Sequence, residues 1–123
     1  MSGFSTIVER VPLPELLNQL AEECAELNQA ALKYRRAIEG INATPVSAAQ
    51  CRENLLEEIA DVFLSVDAVV AIMKHPNPMG VIETTMRAKE ARWARRLTNG
   101  HACGQDACDI ERLPTEYDAP RMN

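Results

Sequence analysis

The stretch from residue 55 to residue 73 limits the possible folds most, because it is apolar on nearly every side of a helix. Its large apolar residues are Leu55, Leu56, Ile59, Val62, Phe63, Leu64, Val66, Val69, Val70, Ile72 and Met73. A helix that is apolar all round has to be covered on most sides. The 15 residues from Ile59 to Met73 also include Asp61 and Asp67, so this run is too short and too charged to cross a membrane. We therefore expect a central helix of a bundle and no membrane partner.

Helix signals predict an all-α fold with three main helices. The first helix should run from residue 14 to residue 38, with prolines at its start and Gly40 just past its end. The second should run from 47 to 74, because Ser47 and Gln50 match a capping box. The third should run from 79 to 97, and residues 1–11 should form a short arm. Two helices cannot cover the apolar second helix, so we expect dimerisation to complete a core like that of a four-helix bundle.

The sequence predicts one helical domain, residues 1–98, followed by an irregular C-terminal tail, residues 99–123. The net charge of -5 argues against general nucleic-acid binding. No targeting segment is apparent, so a cytoplasmic location is the default expectation. Free thiols are expected for the four cysteines. The tail sequence His101-x-Cys103-x4-Cys108 does not have a standard zinc spacing.

Two acidic clusters lie in the first two helices. The first comprises Glu22, Glu23 and Glu26, and the second comprises Glu57, Glu58 and Asp61. Carboxylates three residues apart share a helix face, and their repulsion costs roughly 0.2–0.5 kcal/mol per pair. Glu23 also falls within an apolar stripe made by Leu16, Leu20, Leu27, Ala30 and Tyr34. A purely solvated glutamate would lie on the opposite face, so we expect Glu23 to point towards the core or its edge.

Carboxylates from two helices favour a hard cation between them, namely Mg²⁺ or Mn²⁺. A di-iron centre in a helical bundle uses Glu-x-x-His motifs, and neither cluster has a histidine three residues on. A solvated acidic face without any metal is the other interpretation.

The third helix has a basic row and an apolar side. Lys89, Arg92 and Arg96 share one face, which would suit the phosphates of a metal-bound substrate. The alternative is a solvated helix end, where cations favour the helix dipole. The predicted buried side of this helix comprises Ile82, Met86, Trp93 and Leu97.

These motifs resemble a known family. Glu-Glu-x-x-Glu-Leu on one helix, Glu-Glu-x-x-Asp-Val on the next and Lys-x-x-Arg-x-x-x-Arg on a third are similar to the MazG-like branch of the all-α nucleoside triphosphate pyrophosphatases. The resemblance covers about residues 14–97. It implies a homodimer or homotetramer that uses Mg²⁺ to hydrolyse a nucleoside triphosphate between its α and β phosphates, giving a monophosphate and pyrophosphate.

The resemblance also implies roles for individual residues. The metal ligands would be Glu23, Glu26, Glu58 and Asp61. The carboxylates that orient or deprotonate water would be chosen from Glu22, Glu26 and Glu57, and the phosphates would face Lys89, Arg92 and Arg96. The resemblance does not assign the base pocket. Asn28, Tyr34 and Trp93 could contact a nucleobase, although aromatics such as Tyr34 and Trp93 more often lie in the core or at its rim. Two other functions stay open: an enzyme like phosphoribosyl-ATP pyrophosphohydrolase, and a non-catalytic helical interaction module.

Overall fold

The computed structural model describes residues 2–40 and 46–99, and these ranges contain helices and no strand. The helices are α1 (Gly3–Arg10), α2 (Leu13–Glu39), α3 (Ala48–Ile72) and α4 (Pro78–Thr98). The predicted all-α class is confirmed, and α2, α3 and α4 match the three predicted main helices to within two residues at each end. The predicted tail lies almost wholly outside the described residues, as do His101, Cys103 and Cys108.

The prediction of an arm at residues 1–11 is wrong, because this segment contains α1. The Ser2 hydroxyl caps the helix by accepting a hydrogen bond from the backbone N–H of Ser5. Ile7, Val8 and Val11 pack against the core, and α1 contacts α3. A helix of eight residues is marginal alone, so this apolar packing stabilises it.

The ends of α2 and α3 follow from local chemistry. Gly40 ends α2 in the left-handed conformation, with φ at 68°, which costs glycine little and other residues more. At the start of α3, the Ser47 hydroxyl accepts a hydrogen bond from the backbone N–H of Gln50. The Gln50 side chain does not make the expected reciprocal bond of the capping box; its amide nitrogen donates a hydrogen bond to the side-chain oxygen of Asn54.

The chain divides into two compact units, one ending at Lys74 and the other beginning at His75. In the first unit, α2 packs along α3, and the core cluster comprises Leu16, Ala68 and Val69. Early α2 residues lie beside late α3 residues, so the two helices run antiparallel. The remaining members of the predicted stripe on α2 are half-buried, in agreement with its expected direction.

The apolar coverage of α3 is incomplete within the described chain. Ala68 and Val69 are buried, but Leu56, Phe63 and Leu64 are exposed by 54%, 66% and 48%. The sequence pattern indicated that this helix needs cover on most sides, and α1 and α2 cover only some of them.

In the second unit, the predicted buried side of α4 is wrong for three of its four residues. Met86, Trp93 and Leu97 are exposed, and Ile82 is half-buried. The most buried residues of α4 are instead Ala88 and Arg92. Apolar periodicity identifies an apolar face, but it does not say whether the chain itself covers that face.

The described part of the chain has no helix whose length and apolar character would allow it to cross a membrane.

Candidate metal centre

Three carboxylates from two helices come together in the first unit. Glu23 and Glu26 lie one turn apart on α2, and Glu58 lies on the facing part of α3. One carboxylate oxygen from each residue lies within 4.8 Å of the others. Glu23 and Glu58 are half-buried and Glu26 is exposed, so the cluster is at the edge of the helical interface and open to solvent on one side.

Two oxygens of this cluster are buried without a hydrogen-bond donor. They are Oε1 of Glu23 and Oε1 of Glu58, which find no donor among the described residues. The second oxygen of Glu23 accepts a hydrogen bond from the Gln19 amide. Buried carboxylate oxygens normally have a partner, because losing hydration without one costs free energy. A bound cation would satisfy both oxygens, and the all-oxygen donor set suits Mg²⁺ or Mn²⁺.

The raised pKa of Glu58 agrees with its position in a cluster of carboxylates. Partial burial raises the pKa of Glu58 above its ordinary value, and the charges of Glu26, Asp61 and Glu23 raise it further. A hydrogen bond between the carboxyl groups of Glu26 and Glu58 adds to the rise in this pKa. Two carboxyl groups this close share a proton or a cation, so protons and metal ions compete for the same oxygens.

A polar cleft of about 450 Å³ opens on one side of the cluster. Its walls include Glu26 and Lys33 from α2, and Asn54, Glu57 and Glu58 from α3. The Lys33 ammonium group is the cation of this wall, about two helical turns from Glu26 on the same helix. This polar cleft therefore combines a potential metal site with groups that can bind an anion.

An apolar cleft of about 420 Å³ opens at the other end of the cluster. Glu23 and Asp61 lie at its border, and its walls include Ile7, Leu16 and Ala68. Along α2, the order is therefore apolar cleft, carboxylates, polar cleft. Both clefts are formed only by residues of the first unit.

The structure separates the remaining predicted carboxylates. Asp61 borders the apolar cleft, and its charge acts on Glu58. Glu57 lines the polar cleft beside Glu58. Glu22 is exposed and lines neither of these two clefts. The rotation of each helix about its axis thus places Glu23 and Glu58, the second residue of each Glu-Glu pair, in the cluster. The spacing of the motifs alone did not decide between the two residues of each pair.

The basic row of α4 belongs to the second unit. The three residues share one face of the helix, as their spacing predicted. Arg92 is buried and Lys89 and Arg96 are half-buried, so this face is the less exposed one, which was not predicted. Their predicted role towards phosphates stays a prediction.

Sequence reasoning missed several polar residues of the two clefts. Gln29, Lys33 and Asn54 line the polar cleft, and Gln19 and Ser65 line the apolar cleft. Lys33 follows Glu26 by seven residues, so a search along the face of the acidic motif would have found it. The three predicted nucleobase contacts, Asn28, Tyr34 and Trp93, line neither of these clefts.

No family model, curated protein or solved structure matches this chain.

Proposed function

We propose that this protein is a Mg²⁺-dependent nucleoside triphosphate pyrophosphohydrolase that maintains the nucleotide pool. The carboxylate cluster of Glu23, Glu26 and Glu58 carries this proposal, because its two buried oxygens without donors call for a cation. These three residues would hold the ion, with Asp61 close by. When bound, Mg²⁺ would supply positive charge that neutralises the phosphate oxygens and stabilises charge developing on them.

The reaction would be the attack of water on the α phosphorus. A bond forms between the water oxygen and this phosphorus, the bond from the phosphorus to the α–β bridging oxygen breaks, and pyrophosphate leaves. The water proton passes to a carboxylate and then to solvent. The walls of the polar cleft favour Glu26 or Glu57 for this role over Glu22, since Glu22 lines neither cleft. Lys33 would attract the phosphates by charge.

The further roles implied by the motifs also belong to this proposal. Lys89, Arg92 and Arg96 would contact the phosphates, and the chain would assemble as a homodimer or homotetramer. The exposed large apolar residues of α3 and α4 support self-association.

A panel of nucleoside triphosphates, incubated with Mg²⁺ or Mn²⁺ and followed by product analysis, tests the proposed activity. We expect pyrophosphate and the monophosphate in equal amounts. Phosphoribosyl-ATP in the same panel tests the related enzymatic alternative. If no substrate is turned over with either metal, the enzyme proposal fails and a non-catalytic interaction module becomes the better explanation of the exposed apolar residues.

The variants Glu58→Gln and Asp61→Asn test the site. We expect Glu58→Gln to lower kcat/KM by at least about a hundredfold, because it removes a ligand charge from the cluster. Glu53→Gln is the matched control, since Glu53 is exposed on the same helix and paired with Arg52. It should retain activity. Full activity of the Glu58→Gln variant would refute the site even if the protein is an enzyme of this class.

A further inference from the structure

The apolar cleft contains a polar group that the proposed hydrolysis does not use. Ser65 lies on α3, one turn after Asp61, and only 7% of it is exposed. It lines the cleft together with Leu16 and Ala68. A serine hydroxyl can both donate and accept a hydrogen bond, so Ser65 offers a ligand in this cleft a polar contact at a nearly buried position.

The cleft has the character of a small-molecule site. Its volume of about 420 Å³ is within the common range of about 300–1,000 Å³ for ligand pockets. Apolar side chains from three helices, including Ile7, Val11 and Leu16, form most of its wall. The other lining residues are polar, namely Glu15, Gln19, Glu23, Asp61 and Ser65. Such a wall can pack against the faces of a flat ring and fix its orientation through the polar groups at its edge.

The order of the two clefts around the carboxylates decides which part of a substrate lies where. Both clefts contain carboxylates, which repel phosphates unless a cation is bound. Among the described lining residues, the polar cleft also contains a lysine, Lys33, whereas the apolar cleft contains no lysine or arginine. The carboxylate cluster lies between the two clefts. A nucleoside triphosphate would therefore place its uncharged end in the apolar cleft and its terminal phosphates towards Lys33.

We propose that the apolar cleft binds the nucleobase of the substrate and that the Ser65 hydroxyl helps to select the base by hydrogen bonding to its edge. This inference rests on the proposed function, because it assumes a nucleotide substrate. It makes Ser65 a specificity-determining residue, and it makes α1 and the residue that follows it a wall of the substrate site, through Ile7 and Val11.

Binding of uncharged nucleosides in EDTA tests the cleft without turnover or metal. Titration of adenosine, guanosine, cytidine and uridine, followed by ¹H–¹⁵N NMR, should shift the backbone amides of Ser65 and Ala68 for at least one nucleoside. Leu64→Trp should abolish these shifts by filling the cleft, since Leu64 lines it and is partly exposed. Leu32→Trp is the control, because Leu32 is exposed on α2 and lines neither cleft; it should bind normally.

The Ser65→Ala variant tests base selection. We expect the ratio of kcat/KM between the best and the second-best triphosphate to change by about three- to tenfold, the effect of one hydrogen bond, with the larger change in KM. If triphosphates are hydrolysed but Leu64→Trp retains the wild-type KM and Ser65→Ala retains the base preference, the base binds elsewhere and only this inference is overturned. Nucleoside binding that Leu64→Trp blocks, without turnover of any triphosphate, would support the cleft and refute the hydrolase. Absence of both binding and turnover would overturn both proposals.

Discussion

Glu58 is a residue of the carboxylate cluster whose pKa is raised by both burial and neighbouring charges. Its half-buried carboxyl group faces Glu26, Asp61 and Glu23, and these neighbours together with burial raise its pKa. The folded protein therefore holds the Glu58 proton more tightly than the unfolded chain does. Without metal, this group contributes most to stability at low pH, and the contribution is lost as the pH rises from the ordinary glutamate pKa of about 4.3 through the raised value.

The first prediction concerns the pH dependence of stability in EDTA. We expect the melting temperature of the wild type to fall, relative to that of Glu58→Gln, as the pH rises from about 4.5 to 7, because ionised Glu58 is repelled by its neighbours and glutamine is not. At pH 7 the Glu58→Gln variant should be at least as stable as the wild type. Addition of Mn²⁺ should stabilise the wild type more than this variant. Differential scanning fluorimetry measures both effects.

The exposed Glu53 is again the matched control. Glu53→Gln should follow the wild-type pH profile and respond fully to Mn²⁺, since Glu53 lies outside the cluster. If the two variants have equal pH profiles, Glu58 is not the carboxyl group that its charged neighbours destabilise. If Mn²⁺ stabilises the two variants equally, Glu58 is not a metal ligand.

At the scale of the elements, helix ends are the feature most directly determined by local sequence. Gly40 ends α2 at a φ of 68°, a region that disfavours any residue with a Cβ atom. A Cβ atom built on Gly40 would meet no atom within 4 Å. The cost of replacing this glycine is therefore conformational and not steric.

The second prediction follows because replacing Gly40 would cost backbone conformational energy but cause no steric clash. We expect Gly40→Ala to lower the free energy of unfolding by about 1–2 kcal/mol, measured by urea denaturation. Gly3→Ala is the control, because Gly3 begins α1, is not at positive φ and also has no atom within 4 Å of a built Cβ. It should be neutral or slightly stabilising. A loss of stability in Gly3→Ala equal to that in Gly40→Ala would contradict the conformational explanation.

Features that depend on the period of one helix were predicted correctly from the sequence. Features that depend on how two helices pack against each other were left open. The position of Glu23 among leucines indicated that it is half-buried, because that depends only on the period of α2. The choice between Glu57 and Glu58 depends on how α3 is rotated against α2, which no single-helix pattern specifies. Ser65 was missed for the same reason, since a serine among valines and leucines has significance only once α1 and α2 form a cleft around it.

On α4, the sequence pattern separates a polar face from an apolar face, but it does not predict which of the two is buried. The periodicity correctly groups Lys89, Arg92 and Arg96 on one side, and Met86 and Trp93 on another. It also predicted that the apolar side is the buried one, and this is wrong for the chain alone. Apolar periodicity reports which surface avoids water, and that surface can be covered by the same chain or by another molecule.

For the whole molecule, the small core is the feature that needs an explanation. In the described part of the chain the buried hydrophobic residues are Leu16, Cys51, Ala68, Val69 and Ala88. Many larger side chains remain in water, among them Phe63, Trp93 and Leu97, which are exposed by 66%, 64% and 70%. On α3, Leu56 and Phe63 lie two turns apart on one face. Self-association through this face would complete the cover that the apolar sequence of α3 demands.

The last prediction is that the chain is a stable oligomer and that Phe63 lies at its interface. Sedimentation at micromolar concentration should give a dimer or a tetramer for the wild type. Burying a phenylalanine contributes about 1.5–3 kcal/mol, and a buried charge without a partner costs more, so Phe63→Glu should weaken association by at least about a hundredfold. Ile38→Glu, an exposed position at the end of α2, should leave the assembly intact. A monomeric wild type would refute self-association and leave the exposed face of α3 for a different protein.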